Sequence, residues 1–161
     1  LRKTERYSIE GANSLWQIYK TISFWRVLKN TLTIEFARFV PFLKLKNWLY
    51  RNVLGMKIGD QTAIAYKVVF DLLYPEKIHI GRNTLIGYNT TILTHEYLTE
   101  EYRLGEVHIG DHVMIGANTT ILPGVTIGDH AVIGAGSVVT KDIPPHTFAA
   151  GNPIRIIKER K

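Results

Sequence analysis

The sequence predicts a mainly β protein, a single-stranded parallel β-helix preceded by an N-terminal helical segment. Three observations carry that prediction. From Ile109 to Thr140 a bulky aliphatic residue returns every six positions, at Ile109, Ile115, Ile121, Ile127, Ile133 and Val139. Gly follows it in four of the six blocks, at Gly110, Gly116, Gly128 and Gly134, and a small or β-branched residue stands three places later, at Val113, Thr119, Val125, Ala131 and Ser137. Before residue 58 the apolar residues recur at three and four instead. No helical period fits six, and a hairpin strand alternates at two, so a six-residue repeat requires short extended segments joined by tight corners that always turn the same way. Each coil then buries its aliphatics only against its neighbours.

Taken in order, residues 1–11 read as a polar, poorly ordered lead. Asn13 or Ser14 is placed to cap a helix starting at Leu15, whose face is Leu15, Ile18, Tyr19 and Ile22. Leu32, Phe36 and Phe39 or Val40 continue as helix up to Pro41. Leu43, Leu45, Trp48, Leu49 and Val53 form a last amphipathic helix ended by Gly55. Residues 1–57 therefore form one basic helical segment. The repeat runs over 58–157. It starts at Ile58, Ile64 and Phe70, slips by about four residues in 71–76, resumes at Ile80, Ile86 and Ile92, and breaks again before Ile109. The second break predicts a protruding loop over 95–106. Pro144, Pro145 and Pro153 end the regular coil, Ile154 to Arg160 suggest a closing strand or short helix, and 158–161 is a charged tail.

Composition narrows the function. An apolar fraction of 45% supports a sizeable core. With no cysteine, disulfides, thiolate metal sites and a cysteine nucleophile are excluded. No signal-like apolar region and no membrane-length apolar run occurs, so a cytoplasmic protein is the default expectation. The net charge of +6 is uneven: residues 1–57 hold 11 Lys/Arg against 3 Asp/Glu, and residues 58–161 hold 9 against 11. The basic, aromatic segment has two readings. Its apolar face packs on the first coil or on a neighbouring subunit, or residues 12–54 form a peripheral contact with an anionic membrane surface or polymer. No nucleic-acid partner is expected.

Long loops on rigid scaffolds are where chemistry concentrates, and the second break opens on His95. The other five histidines have structural readings: His79 and His108 on a side wall, His112 and His130 at matching corners, and His146 beyond the coil.

The run Ile121-Leu122-Pro123-Gly124-Val125-Thr126-Ile127-Gly128-Asp129, then Ile133-Gly134-Ala135-Gly136-Ser137-Val138-Val139-Thr140-Lys141-Asp142-Ile143-Pro144-Pro145, then Ala150-Gly151-Asn152-Pro153-Ile154-Arg155 resembles the hexapeptide-repeat acyltransferases with a left-handed β-helix, and within them the maltose and galactoside O-acetyltransferase branch. The resemblance spans about 58–157 and is most specific over 109–157. It implies an acetyl-CoA-dependent acetyltransferase acting on a sugar-like hydroxyl, with His95 as general base. An imidazole with a reference pKa of about 6.5 can take a proton from a hydroxyl at neutral pH. The resemblance also implies CoA contacts at Ala117, Ala135, Thr140, Lys141 and Arg155, and a homotrimer with active sites between subunits. No metal is expected.

Three positions depart from the branch. Ala65, or nearby Lys67, stands where an acceptor-binding Asn is usual, with Asp71 as a substitute contact to the acceptor or to His95. Met114 replaces a Trp, and Glu96 replaces a Pro. The acceptor class is the part these departures touch. The competing functions are N-acetylation of an amine, a γ-carbonic-anhydrase-like metal hydratase using His79, His108 and His112, and a non-catalytic binding scaffold.

Overall fold

The structure is a computed structural model that describes residues 2–159. Its centre is a left-handed β-helix, a three-sided prism in which each side is a ladder of parallel strands. The first face stacks Lys57–Ile58, Ile78–Ile80, Val107–Ile109 and Thr126–Ile127. The second stacks Ala63–Ile64, Leu85–Ile86, Met114–Ile115, Val132–Ile133 and Thr147–Ala150, with Arg155–Glu159 added antiparallel. The third stacks Val69–Phe70, Thr91–Ile92, Thr120–Ile121 and Val138–Val139.

The hexad positions lie in register. Ile58, Ile80, Ile109 and Ile127 stack on the first face, and Ile64, Ile86, Ile115, Ile133 and Ala149 on the second. Phe70, Ile92, Ile121 and Val139 stack on the third. All of these are buried, and so are the small residues that close each turn, Val113, Thr119, Val125, Ala131 and Ser137. A strand of two residues turns its second residue into the prism and its first outward, so one aliphatic per six residues is enough to fill the interior. The corner between the first and second faces carries Gln61, Asn83, His112, His130 and His146, all at φ 48 to 59°. At the edge between the second and third faces the coils pack too closely for a larger residue: a Cβ on Gly116 would lie 2.4 Å from Ala135 N.

Two expectations are corrected here. The coil does not end after Lys141. Ile143 bridges to Ile127, His146 stacks over His130, and Thr147–Ala150 adds a rung to the second face. Pro144 and Pro145 sit at a corner, where no ladder N–H is needed, and Pro153 lies in the turn before the closing strand. The polar lead is ordered as well. Glu5–Ser8 pairs antiparallel with Glu101–Leu104, which pairs with His95–Tyr97, so the protruding loop is a hairpin in a three-stranded sheet. Tyr7 stacks on Tyr102 at 4.7 Å, an apolar contact a charged strand needs to be held. At the other end, Lys158 and Glu159 belong to the closing strand. Arg160 and Lys161, expected in the charged tail, lie outside the described residues.

Three helices precede the prism: α1 (Ile18–Thr21), α2 (Phe24–Ala37) and α3 (Leu43–Asn52). Asn13 accepts a hydrogen bond from Trp16 N at 3.0 Å in the turn before α1, while Ser14 Oγ donates to Leu98 O at 2.6 Å. The helices turn their apolar residues inward only in part, and α3 is turned polar side in. Leu32 and Phe36 are exposed, and α2 buries Asn30, Ile34 and Ala37. In α3 the buried residues are Lys46, Asn47 and Tyr50, while Leu45 and Trp48 face outward.

The reason lies beneath α3. The first coil has no coil under it, so its downward carbonyls lack strand partners, and buried carbonyls need donors. Lys46 Nζ donates to Ile64 O and Ala65 O at 3.1 and 3.3 Å, Asn47 Nδ2 to Thr62 O at 2.8 Å, and Arg51 to Ile58 O and Gly59 O at 2.7 and 2.9 Å. Burial lowers the Lys46 pKa, the cost of using an ammonium as a cap. The Tyr50 ring closes the apolar end of the prism edge-on to Phe70 at 4.8 Å.

Replacing Lys46 by Met keeps the stem and removes the donor. We expect a loss of about 1–3 kcal/mol in urea unfolding, the cost of leaving buried carbonyls unpaired. Ile121→Ala, inside the prism, is expected to lose about 2–5 kcal/mol by the same measurement.

Candidate active site

Both interruptions of the six-residue rhythm fall on one edge of the prism, one coil apart. Phe70 and Ile92 are register partners on the third face, and the chain leaves the ladder just after each of them. The first excursion passes through a 3₁₀ turn at Pro75–Lys77. The second is the hairpin. The edge between the third and first faces therefore carries Asp71 and, one coil above it, His95.

His95 Nδ1 lies 2.6 Å from Asp71 Oδ2. Asp71 is fully enclosed at its side chain, whereas the His95 side chain keeps 20% of its exposure. Four backbone groups also donate to the carboxylate: Leu73 N and Tyr74 N to Oδ1 at 2.8 and 2.9 Å, and Thr94 N and His95 N to Oδ2 at 2.7 and 3.1 Å. One buried carboxylate thus pins the start of both excursions and the imidazole together. Burial alone would raise its pKa. The hydrogen bond and charge of His95 and the N–H groups of Tyr74 and Thr94 outweigh that, and Asp71 is held below the ordinary carboxylate range. An ionised Asp71 accepts from Nδ1–H, which leaves the Nε2 lone pair of His95 free to take a proton.

Aromatic rings wall the imidazole. Tyr97 lies edge-on at 5.2 Å and Tyr74 at 6.4 Å. Burial raises both phenols, Tyr74 to about 12, so both are neutral hydroxyls at physiological pH. Thr21 of α1 is 3.1 Å from the Tyr97 hydroxyl, which fastens the helical segment to the hairpin. Arg2 reaches Glu96 at 2.6 Å and ties the N-terminal strand to the residue after His95.

The other predicted residues divide between two edges. Thr140 and Lys141 follow the third face, on the same edge as His95. They line a cleft with Arg2, Thr4, Arg6 and Arg103. Glu96 and Glu101 pair with Arg2 and Arg103, and the cleft remains cationic through Arg6 and Lys141. Sequence reasoning missed Arg2, Arg6 and Arg103. Their signal was the alternation of Arg6, Tyr7 and Ser8 against Tyr102 and Arg103, visible only once the two segments are known to pair. Ala117 and Ala135 lie on the edge between the second and third faces, one coil apart, with Gly136 N donating to Ala117 O at 2.8 Å. Arg155 pairs with Ala150 above that edge and is exposed.

Asp71 is turned to His95 and not to an acceptor: it is buried, and its oxygens are taken by five donors. Ala65 lies at the corner after the second face, where its carbonyl accepts from Lys46, and no hydrogen bond joins it to His95. Met114 projects outward beside Leu85 on the second face.

The imagined three-histidine metal set does not converge. His112 stacks on His130 at a corner, with ring centroids 4.8 Å apart, while His79 and His108 meet on the first face at 4.4 Å. Glu106 joins the latter pair, within 3.0 Å of His108 Nε2. Lys57 stands beside His79 in the same ladder and opposes a cation there.

Comparison with known proteins gives a consistent result. The family described as bacterial transferase hexapeptide (six repeats) matches residues 106–141. YvoF of Bacillus subtilis (strain 168), which carries an acetyltransferase name, is 60% identical over 157 residues, covering 98% of this chain and 91% of its own. Among solved structures, the hexapeptide-repeat acetyltransferase VCA0836 of Vibrio cholerae, complexed with acetyl coenzyme A, superposes with a TM-score of 0.73 at 27% identity, over 89% of this chain and 92% of that one. A galactoside acetyltransferase in complex with coenzyme A superposes with a TM-score of 0.63 at 32% identity, over 84% of this chain and 80% of its own.

The Asp71 network predicts an acid-dependent stability. Its folded pKa lies below the ordinary value of 3.8, so its stabilisation is complete above that pH and is lost as the pH falls through the folded value. Asp71→Asn should cost at least about 2 kcal/mol in urea unfolding at pH 7. The gap from the parent should narrow below pH 3.8. A gap constant from pH 7 to pH 3 would contradict this account of the carboxylate.

Proposed function

The chain belongs to the hexapeptide-repeat acetyltransferases, and from that premise we propose that it transfers the acetyl group of acetyl-CoA directly to a hydroxyl of a sugar or sugar-like acceptor, with His95 as general base. The observation that carries the proposal is the Asp71–His95 pair, an imidazole with one nitrogen fixed and the other open beside the edge that also bears Thr140 and Lys141. Nε2 takes the hydroxyl proton as the oxygen attacks the thioester carbonyl. The C–O bond forms, the C–S bond breaks, and the proton passes to the departing thiolate to give the CoA thiol. Asp71 serves as a positioning residue that holds the base in the required tautomer.

Acetyl-CoA fits the residues present. Ala117 and Ala135 leave room for an extended arm, and Lys141 with the arginines of the cleft offers charge to phosphates. These two groups occupy different edges of one prism. An extended cofactor reaches both if the Ala117–Ala135 edge of one copy lies against the His95 edge of another, which supports a homotrimer with active sites between subunits. The outward ladder of Leu85, Met114, Val132 and Phe148 is an apolar flank suited to that contact.

Free-CoA release over a panel of hydroxyl and amine acceptors tests the reading. His95→Ala should lower kcat by about 10²–10⁴-fold. Asp71→Asn should lower kcat and shift the pH–rate profile, and adding it to His95→Ala should cost little more, because the two act as a unit. Turnover with amines alone would overturn O-transfer, and unchanged turnover in His95→Ala would overturn the base. A stoichiometric, activity-supporting metal in purified protein would favour a hydratase instead.

A further inference from the structure

The helical segment uses its two sides for opposite purposes. Its inner side is mixed: α2 buries Ile34 and Ala37 beside Asn30, and α3 turns Lys46 and Asn47 to the first coil, which needs donors. Its outer side is left apolar with nothing on it. All three tryptophans of the chain are here and all are exposed, Trp16 at 83%, Trp25 at 73% and Trp48 at 54%. Leu32 and Phe36 continue the stripe along the outside of α2, and Phe42 bridges to α3. Tryptophan combines a large apolar body with one polar N–H, and residues of this kind concentrate where an apolar phase meets water. An exposed patch of this extent marks an interaction surface.

Charge selects the partner. Residues 12–54 hold seven Lys/Arg and a single acidic residue, Glu35, which pairs with Arg38. Arg26 and Arg51 pair with Glu76 and Asp60, and Lys46 is buried beneath the prism, so the cations left on the outside are Lys20, Lys29, which binds only a carbonyl oxygen, and Lys44, exposed between Leu43 and Leu45. A second copy of the same surface would bring like charges together, whereas an anionic bilayer meets both the aromatic stripe and the cations. No described helix is long and apolar enough to cross a membrane, so these helices would lie along it.

We propose that the outer face of α1–α3 docks the protein on an anionic lipid surface. The aromatic side chains sit at the headgroup level, and the prism stands off the membrane with the His95 edge beside the docked segment. This goes beyond the acetyl-transfer reading and holds or fails independently of it.

Full-length protein is mixed with phosphatidylglycerol-containing vesicles or with phosphatidylcholine vesicles, and binding is read by co-sedimentation and tryptophan emission. We expect binding to the anionic vesicles, a blue shift, and weakening as salt rises. Trp25→Ser/Leu32→Ser and, separately, Lys44→Glu should each weaken vesicle binding by about tenfold or more. All three positions are solvent-facing, so thermal melts and free-CoA release should stay at parent values. Equal binding to neutral vesicles, or no binding to either, overturns the proposal. If vesicle binding is absent and Trp25→Ser/Leu32→Ser lowers the sedimentation mass, the face joins protein copies and the proposal is likewise overturned.

Discussion

A chain wound as stacked coils gives every strand a partner above and below except at its ends, and this shortage of partners at the first coil governs the rest of the molecule. The carbonyls of Ile58, Thr62 and Ile64 have no strand beneath them. Carbonyl oxygens accept and cannot donate, so the covering element must present donors. Lys46, Asn47 and Arg51 fall at spacings that one helix presents to one side, and α3 is therefore turned polar side in. Leu43, Leu45 and Trp48 are displaced outward as a consequence, while Leu49 still packs against the core. The inward cations of α3 and its exposed apolar side have one cause.

The same economy operates at the site. A perfect hexad ladder has only identical outward positions and no concavity. Where the chain departs from it twice at one edge, the two departures must be held to each other, and a single buried carboxylate does this through five donors. Holding the backbone and orienting the imaidazole are then one structural act. Mutation of Asp71 is expected to touch stability and turnover together, whereas mutation of His95 removes the exposed partner and leaves the backbone bonds of the carboxylate in place. The tyrosines around His95 and the N-terminal strand behind the hairpin add rigidity where an isolated hairpin would be marginal.

The sequence by itself determined the prism, the number and place of its interruptions, and His95 as the residue that opens the second one. These follow from a six-residue period, because the side chain that must point inward is fixed by its count along the chain and needs no knowledge of distant neighbours. Tertiary structure decided the rest. The pairing of residues 5–8 with 101–104 joins segments almost a hundred positions apart and carries no periodic trace. The inward side of α3 reversed its apparent amphipathicity, since hydrophobic pattern ranks burial by transfer free energy and is blind to a neighbouring row of unpaired carbonyls. Asp71 was visible as a nearby carboxylate with two candidate roles. Its assignment to His95 depended on both interruptions landing on the same edge, one coil apart, which is a property of the closed coil and not of either segment alone.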